Sequence, residues 1–307
     1  MKNLKQISLK KGITVAELVE EMDSCGVLGA GKIGKASRLV KQMFEDSDYT
    51  VFLSLAGPLV AGGLRTIVAK LLENENVEVV VTTGANMVHD MLESLGCKHK
   101  IGTFRAEDKQ LKERDIGRIG DIYIEHRAFR KLERWLYTLL EEIPEAKRLR
   151  ISPSDLLLEI GKRIDDDNSI LAIAAKKNIP IICPGLTDSI AGFQLWTYSQ
   201  DKKLVLDSLG DISKLVDKVY EAKKSGVIIL GGGMPKHFTL FANTFREGVD
   251  TAIQITTDRP EPGGLSGASL EEAISWSKVK SEDDTVTVNC DATIAFPLII
   301  ASALNDV

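Results

Sequence analysis

The feature that most constrains this chain is a repeated alternation of apolar, strand-forming runs with amphipathic helical patterns. The strongest runs are YTVFLSLAG (49–57), VEVVVTTGAN (77–86), IPIICPGLTD (179–188), GVIILGGG (226–233) and DTVTVNCDAT (284–293), with weaker ones at 203–207 and 250–257. Helical patterns cover 64–73, 169–177, 212–224 and 293–304. Apolar runs that do not alternate suit strands buried on both faces. The order predicts a doubly wound α/β fold, with a mostly parallel sheet and helices on both faces.

The chain shows no internal division that would separate two domains. No linker rich in proline or serine interrupts the 307 residues. We therefore expect one domain over 1–307, with a short helical extension at its N-terminus that covers about residues 1–48. The most charged stretch, 105–150, is expected to form exposed loops and helices at the edge of the sheet.

Composition argues against several classes of protein. The formal net charge is −5 and no basic tract occurs, so we expect no nucleic-acid partner. No apolar stretch is long enough for a membrane span, and the N-terminus lacks the apolar segment of a secretory signal, so a cytoplasmic location is expected. The four cysteines and four histidines show no metal-ligand spacing, so no metal site is expected.

Small and polar residues end most of the apolar runs. The endings are LAG, TTGAN, PGLTD, GGG, TT and CDAT. In an open parallel sheet, ligands bind beyond the carboxyl ends of the strands. Glycine lets a backbone approach a phosphate closely, and Thr, Asp and Asn supply hydrogen bonds. The six endings together predict a site for a large polar cofactor.

The stretch GAGKIGKAS (29–37) contains Gly29, Gly31 and Gly34 in the order of a dinucleotide-binding turn. Such a turn requires a strand before it and an acidic residue about 20 positions later, at the end of the next strand. The preceding residues have a helical period, and the run 49–57 ends in LAG without an acid. We interpret the three glycines as packing residues in a connection between two helices, and place the cofactor elsewhere.

Residues 226–279 hold the densest group of chemically useful side chains. A neutral lysine amine attacks carbonyls and imines, and burial beside an apolar ring lowers a lysine pKa. We interpret Lys278 as such a nucleophile, rather than as a surface residue. Trp276 is expected to cover a cationic amine through its ring face, and a buried Glu272 is expected to pair with that cation. His237 either caps a helix or takes part in the chemistry.

Three motifs resemble those of the deoxyhypusine synthase family. They are GGG-x-x-KH (231–237), SGAxxxEAISWxK (266–278) and DAT (291–293), and the resemblance extends from CGVLGAGKIGKAS to ATIAFPLIIASAL. It implies a Rossmann-like NAD-binding fold and a homotetramer with active sites at a dimer interface. It also implies that NAD accepts a hydride from a polyamine, and that an aminobutyl group passes through a lysine imine to a lysine of the precursor of a hypusine-containing translation factor.

The resemblance also implies roles for individual residues. Lys278 is the imine-forming lysine and His237 is the acid or base. The amine substrate is held by Trp276, Glu272 and Asn243. The residues that line the NAD site are Thr83, Gly84, Asp188, Gly231, Gly232, Gly233, Thr257, Ser266 and Asp291. Asp291 has an alternative role as the N-cap of the last helix.

The chain departs from the best-known family members at several positions. His89 stands where an acid meets the cofactor ribose, and Phe193 stands where an acid holds one end of spermidine. Pro262 and Leu265 replace two further acids, the second of which is also near the amine. Loss of carboxylates removes the partners of a terminal ammonium group. We therefore expect an amine donor with a less cationic or different far end.

Three hypotheses follow. The first is a deoxyhypusine synthase of archaeal type that uses NAD, with spermidine or an agmatine-like donor. The second is a related enzyme that transfers the group between small amines, as homospermidine-forming relatives do. The third is a non-catalytic NAD-binding scaffold, against which the presence of Lys278 argues.

Overall fold

The computed structural model describes residues 3–304, in which nine strands form two sheets. The strands are β1 (Tyr49–Leu55), β2 (Val79–Thr83), β3 (Lys100–Ile101), β4 (Ile116–Ile119), β5 (Ile122–Glu125), β6 (Ile181–Gly185), β7 (Lys224–Leu230), β8 (Thr251–Thr256) and β9 (Thr285–Asn289). Six strands form a sheet in the order β6-β2-β1-β7-β8-β9, and three form an antiparallel sheet in the order β3-β5-β4. The pairs β1–β7, β7–β8 and β8–β9 are parallel.

Helices connect the strands. They are α1 (Val15–Cys25), α2 (Leu28–Glu45), α3 (Arg65–Glu73), α4 (Gly84–Ser94), α5 (Asp108–Glu113), α6 (Arg127–Glu142), α7 (Glu145–Arg148), α8 (Pro153–Gly161), α9 (Ile170–Lys177), α10 (Ile190–Asp201), α11 (Ser208–Glu221), α12 (Gly233–Ala242) and α13 (Ala292–Ala303). A π-helical turn covers Val60–Leu64, and 3-10 turns cover Asn243–Arg246 and Glu272–Trp276. The α/β fold with a helix-flanked parallel sheet confirms the predicted class.

The chain forms two compact units. The first unit comprises Met1–Ala56, Asn76–Val81 and Ser213–Val307, and the second comprises Gly57–Glu75 and Thr82–Ile212. A single domain over 1–307, with an N-terminal extension to about residue 48, stays a prediction. The helices α1 and α2 of that extension belong to the first unit.

The glycines of GAGKIGKAS lie inside helix α2, so the expected connection between two helices is wrong there. Helix α1 ends earlier, at Gly26, which adopts φ 72°. A Cβ atom on Gly31 would lie 2.3 Å from the carbonyl carbon of Gly26, and one on Gly34 would lie 2.3 Å from the Cα atom of Asp23. The packing role is therefore confirmed for Gly31 and Gly34. It is wrong for Gly29, whose Cβ would meet nothing within 4 Å.

In the second unit, Asp90 ties three helices together. Its carboxylate is completely buried and accepts a hydrogen bond from Arg65 Nε on α3 at 2.6 Å. It also accepts bonds from the backbone N–H groups of Ile170 and Leu171 on α9, and from the Ser169 hydroxyl. These bonds provide acceptors for backbone N–H groups of the first turn of α9, which have no partner within the helix. Because Asp90 is part of α4, they also orient the helix that begins at the end of β2.

Two sequence-based expectations about this unit are wrong. Residues 203–207 form no strand of the sheet, and Leu206 makes only an isolated bridge with Ile151. The run has three apolar residues, and Val205 is 53% exposed, so it is not a strand buried on both faces. The charged region 105–150 contains the hairpin β4–β5 as well as helices. The strands β4 and β5 are short and each contains a charged residue, so they do not show the continuous apolar pattern of a buried strand.

Candidate active site

In the first unit, Gly231–Gly233 form a tight turn between β7 and α12. Gly231 and Gly233 adopt φ 76° and φ 58°, which are strained for residues with a side chain. A Cβ atom on Gly232 would lie 2.4 Å from the Cα atom of Ser266. Gly232 is the N-cap of α12, and no side chain caps that helix. The first N–H groups of α12 are therefore available to an anion such as a phosphate.

His237 lies in the second turn of α12. Its ring stacks on Phe241 with the centroids 5.6 Å apart, and its Nδ1 atom is buried without a hydrogen-bond partner in the described part of the chain. Burial, followed by the positive charge of Lys278, lowers the pKa of His237. The neutral imidazole can accept a proton. Because the N-cap of α12 is Gly232, the capping alternative for His237 is wrong.

Lys278 and Trp276 are brought together by a short turn. The 3-10 turn Glu272–Trp276 ends at Ser277, which adopts φ 54°, and the Nζ atom of Lys278 lies 5.5 Å from the centroid of the Trp276 ring. Lys278 is half-buried, whereas Trp276 is 67% exposed. Glu272 is exposed, so the expectation that it is buried is wrong. Its carboxylate is accessible to a cationic ligand.

Asn243 lies beyond the end of α12 and is completely buried. Its Nδ2 atom donates to the Thr239 carbonyl at 2.9 Å, while its Oδ1 atom has no partner among residues 3–304. A role in binding the amine stays a prediction for this side chain.

The other predicted cofactor residues of this unit lie after strands β8 and β9. Thr257 is exposed directly after β8, and Ser266 lies in the loop that follows. Asp291 caps α13, because its Oδ1 atom accepts from the Thr293 N–H at 2.7 Å. The capping alternative for Asp291 is thus confirmed, and contact with a cofactor stays a prediction.

Sequence reasoning missed Lys236 and Gln254. Lys236 precedes His237 on α12 and is 4% exposed. Its Nζ atom donates to Gln254 Oε1 at 2.8 Å and to the Ala268 carbonyl. Burial lowers the pKa of Lys236 to about 8; the charge of Glu272 opposes this shift and that of Lys278 adds to it. The signal was present in the KH pair of the motif 231–237, from which only the histidine was chosen.

In the second unit, three predicted cofactor residues lie at the starts of α4 and α10. Thr83 caps α4 by accepting from the Asn86 N–H. A Cβ atom on Gly84 would lie 2.6 Å from the Cβ atom of Ser189, which is the N-cap of α10 and follows the exposed Asp188. The structure therefore brings the two helix starts together, as the strand-end argument expected for this pair.

His89 belongs to a chain of hydrogen bonds that sequence reasoning did not anticipate. His99 Nδ1 lies 2.7 Å from Glu93 Oε1, and His99 Nε2 lies 2.8 Å from His89 Nδ1. Burial raises the pKa of Glu93, but bonds from Lys98 and His99 outweigh it, so the net pKa is lowered and this carboxylate only accepts. Burial and the nearby His99 lower the pKa of His89 to about 4.

The direction of this chain depends on the tautomers of the two rings. With both rings neutral, His99 donates from Nδ1 to Glu93 and accepts at Nε2. His89 must then donate from Nδ1. Its Nε2 atom is then left as an acceptor. In this tautomer His89 offers a neutral acceptor at the position where the best-known family members carry an acid.

Three of the four positions that lack family acids are exposed. They are Phe193 on α10, Pro262 and Leu265. Phe193 is 68% exposed and Leu265 is 48% exposed, so neither side chain is needed to fill a core.

The sequence matches a family model and curated proteins. The model for deoxyhypusine synthase matches residues 17–303. A relative in Methanothermobacter thermautotrophicus, named "Probable deoxyhypusine synthase", is 44% identical over 304 residues, which cover 99% of this chain and 98% of that protein. This chain belongs to the deoxyhypusine synthase family. "Probable deoxyhypusine synthase 1" of Archaeoglobus fulgidus is 43% identical over 297 residues, covering 97% of this chain and 96% of that protein.

A solved structure agrees with the fold of this deoxyhypusine synthase family member. A protein of Entamoeba histolytica assigned to the same enzyme has a TM-score of 0.71 and 24% identity, covering 97% of this chain and 96% of that one. Membership supports an aminobutyl transferase that acts in hypusine formation, with polyamine and translation-factor substrates. Within residues 3–304, no helix is long and apolar enough to cross a membrane, and no group of His, Cys, Asp and Glu is arranged to hold a metal ion.

Proposed function

We propose that the protein catalyses NAD-dependent transfer of an aminobutyl group from a polyamine to one lysine of the precursor of a hypusine-containing translation factor. The observation that carries this proposal is the placement of Lys278 beside the face of Trp276, within the motif that the family shares. An accessible lysine amine can form an imine, and the aromatic face attracts the cationic amine.

The residues present fit a dinucleotide. Gly231–Gly233 leave no room for a side chain at Gly232 and present the uncapped start of α12, which suits a pyrophosphate. Ser266, Thr257 and Asp291 would complete this site in the first unit. For Thr83, Gly84 and Asp188 of the second unit, contact with NAD is proposed from the family resemblance alone. When bound, NAD takes a hydride from the amine and later returns it.

His89 Nε2 supports the same assignment. A neutral acceptor can receive a hydrogen bond from a ribose hydroxyl, as the acid does at this position in other family members. In the tautomer with both rings neutral, the bonds from His99 to Glu93 and from His89 to His99 leave this atom free to accept. The replacement of the acid by histidine at position 89 is therefore compatible with cofactor binding.

The side chains of this protein then carry the amine chemistry. The amine of Lys278 attacks the imine carbon of the oxidised polyamine, and the bond from that carbon to the leaving amine breaks. His237 accepts the proton of the attacking amine and delivers a proton to the amine that leaves. The lysine of the acceptor protein displaces Lys278 by the same exchange. Trp276 and Glu272 hold the cationic end of the group during both steps.

A different amine donor is favoured by the residues at three positions, namely Phe193, Pro262 and Leu265. Because these positions lack carboxylates, the pocket binds a terminal ammonium less strongly. A donor with a less cationic far end fits this change better than spermidine does. Transfer between small amines, as in homospermidine formation, is the alternative function.

By analogy with the family, we propose a cytoplasmic homotetramer with active sites at a dimer interface.

The test is an assay of the purified protein with NAD and a panel of amines, with and without the translation-factor precursor. We expect label from one amine to appear on a lysine of the precursor. Label found only in small-amine products would favour the alternative. Absence of transfer with every donor would contradict both and favour a non-catalytic scaffold.

A further inference from the structure

Lys236 is a buried cation that the steps proposed above do not use. It lies on α12 one residue before His237, and its side chain is almost completely inaccessible. Its Nζ atom donates to the side-chain oxygen of Gln254 on β8 and to the backbone carbonyl of Ala268. A buried ammonium requires such acceptors, because its desolvation is costly.

Gln254 completes the arrangement from the middle of the sheet. Its side chain is completely buried, and its Nε2 atom donates to the carbonyls of Gly231 at 2.9 Å and Ser266 at 2.8 Å. Gln254 thus uses both of its N–H groups and its carbonyl oxygen. Lys236 and Gln254 together bind three backbone carbonyls, at Gly231, Ser266 and Ala268. We call this set the loop clamp.

The loop clamp joins segments that hold predicted site residues. Gly231 begins the glycine turn, and Ser266 lies so close to Gly232 that no Cβ fits between them. The loop that contains Ser266 and Ala268 leads directly into Glu272. A shift of this loop would therefore move a cofactor residue and an amine residue together.

We propose that Lys236 is a positioning residue, which fixes the loop 263–272 against the glycine turn so that cofactor and amine meet Lys278 in one arrangement. The proposal rests on the proposed function. Lys236 is not the imine-forming lysine, because its amine is inaccessible and directed at two carbonyl acceptors. The charged groups that act on it are Glu272, Glu271 and Lys278.

The test uses the full chain with Lys236→Met, which removes the donors at similar volume. Lys236→Arg restores donors, and Lys223→Met, at an exposed lysine, is the matched control. Hydrogen–deuterium exchange at 263–272 should accelerate about tenfold in Lys236→Met, and the Kd for NAD should rise about tenfold. Lys236→Arg should restore part of the slow exchange and part of the NAD affinity. Lys223→Met should change neither the exchange rate nor the Kd for NAD. Borohydride should still trap the amine on Lys278.

Three results would overturn the proposal. They are unchanged exchange and NAD affinity in a folded Lys236→Met variant, exchange that rises throughout the unit rather than in the loop, and a trapped adduct on Lys236 in the wild type. If Lys236→Met does not fold, the pH dependence of hydrogen–deuterium exchange in the wild-type protein tests the proposal instead. Loss of the proton above a pH of about 8 should weaken the charge-assisted bonds and accelerate exchange at 263–272 after correction for the intrinsic rate. A corrected rate that stays constant across that range contradicts the proposal.

The failure of the proposed function would look different. If the wild-type protein binds no NAD and modifies no amine, the function is wrong. Exchange at 263–272 would still report whether Lys236 holds the loop.

Discussion

The Nζ atom of Lys278 lies 5.5 Å from the ring centroid of Trp276, a residue only two positions earlier in the chain. This is possible because Ser277 adopts φ 54° and ends the 3-10 turn, which places both side chains on the same side of the backbone segment. Lys278 also donates its backbone N–H to the Ala273 carbonyl at 3.1 Å. The amine is therefore held beside an aromatic face by local backbone geometry.

We expect Lys278→Ala to abolish transfer, with a loss of about a thousandfold or more, because no other accessible lysine of the motif can carry the group. NAD affinity should stay within about twofold of the wild type, which calorimetry can measure. Lys280→Ala is the control, since Lys280 pairs with Asp250 at the surface. Transfer at an undiminished rate in Lys278→Ala would show that the lysine imine is not part of the mechanism.

The charge of Lys278 should also be visible in the titration of His237. Burial and the Lys278 charge lower the pKa of His237 from its ordinary value, because both disfavour the protonated ring. Lys278→Met removes only the second cause, so the pKa should rise without reaching the ordinary value. NMR of the isotope-labelled His237 ring measures this pKa in the absence of substrate. An unchanged pKa, with Lys280→Met as the control, would mean that the two groups do not interact.

His89 should make stability depend on pH. Its pKa is about 4 in the folded protein and about 6.5 in the unfolded chain, so the unfolded chain binds more protons between these values. The free energy of unfolding should therefore fall as the pH falls from 6.5 toward 4, by at most about 3 kcal/mol. Urea unfolding should show a smaller slope in His89→Gln. The surface variant Gln110→Ala, which removes no titratable group, should keep the wild-type slope, and equal slopes in all three proteins would contradict the prediction.

Much of the fold was predictable because burial on both faces leaves a clear pattern. Strand β7 ends in the continuous apolar run VIIL, and the ends of β7 and β8 were correctly expected to lead into glycine and threonine. The hairpin β4–β5 was missed because its strands are short and partly exposed, so their residues do not differ from those of loops. Helix α2 was misjudged at its start because Gly29, Gly31 and Gly34 disfavour helix locally, whereas close contact with α1 requires two of them.

The site was predictable to a smaller extent. Motifs led to Lys278, His237 and the glycine turn as candidates, since these residue types have chemistry of their own, and their roles stay predictions. They did not identify Gln254, whose importance depends on the carbonyls of Gly231 and Ser266, which are 23 and 12 residues away in sequence. They also did not reveal the pair His89–His99, because a hydrogen bond between residues ten positions apart has no sequence pattern. Such contacts depend on tertiary structure.

Substrate choice should respond to acids at the two exposed positions, Phe193 and Leu265. The double variant Phe193→Asp, Leu265→Asp supplies carboxylates for a terminal ammonium, so the kcat/KM ratio of spermidine to an analogue that lacks this ammonium should rise by about tenfold or more. The isosteric double variant with Asn is the control for polarity without charge. An unchanged ratio in the Asp variant would show that these positions do not contact the amine.

The glycines of helix α2 provide a test of packing that is independent of the chemistry. In Gly34→Ala the new Cβ would lie 2.3 Å from the Cα atom of Asp23, so α1 must move, and we expect a loss of about 1–3 kcal/mol in the free energy of unfolding. Gly29→Ala is the matched control. It has free space and gains helix propensity, so it should be neutral or stabilising by up to about 1 kcal/mol.

Both variants are measured by urea unfolding and by NAD binding. The affinity for NAD should be the same in Gly29→Ala as in the wild type, because the proposed cofactor turn is Gly231–Gly233. A large loss of NAD affinity in Gly29→Ala without loss of stability would place the pyrophosphate at the start of α2. It would overturn the assignment of the cofactor to the strand ends, since a methyl group at Gly29 touches nothing within the chain itself.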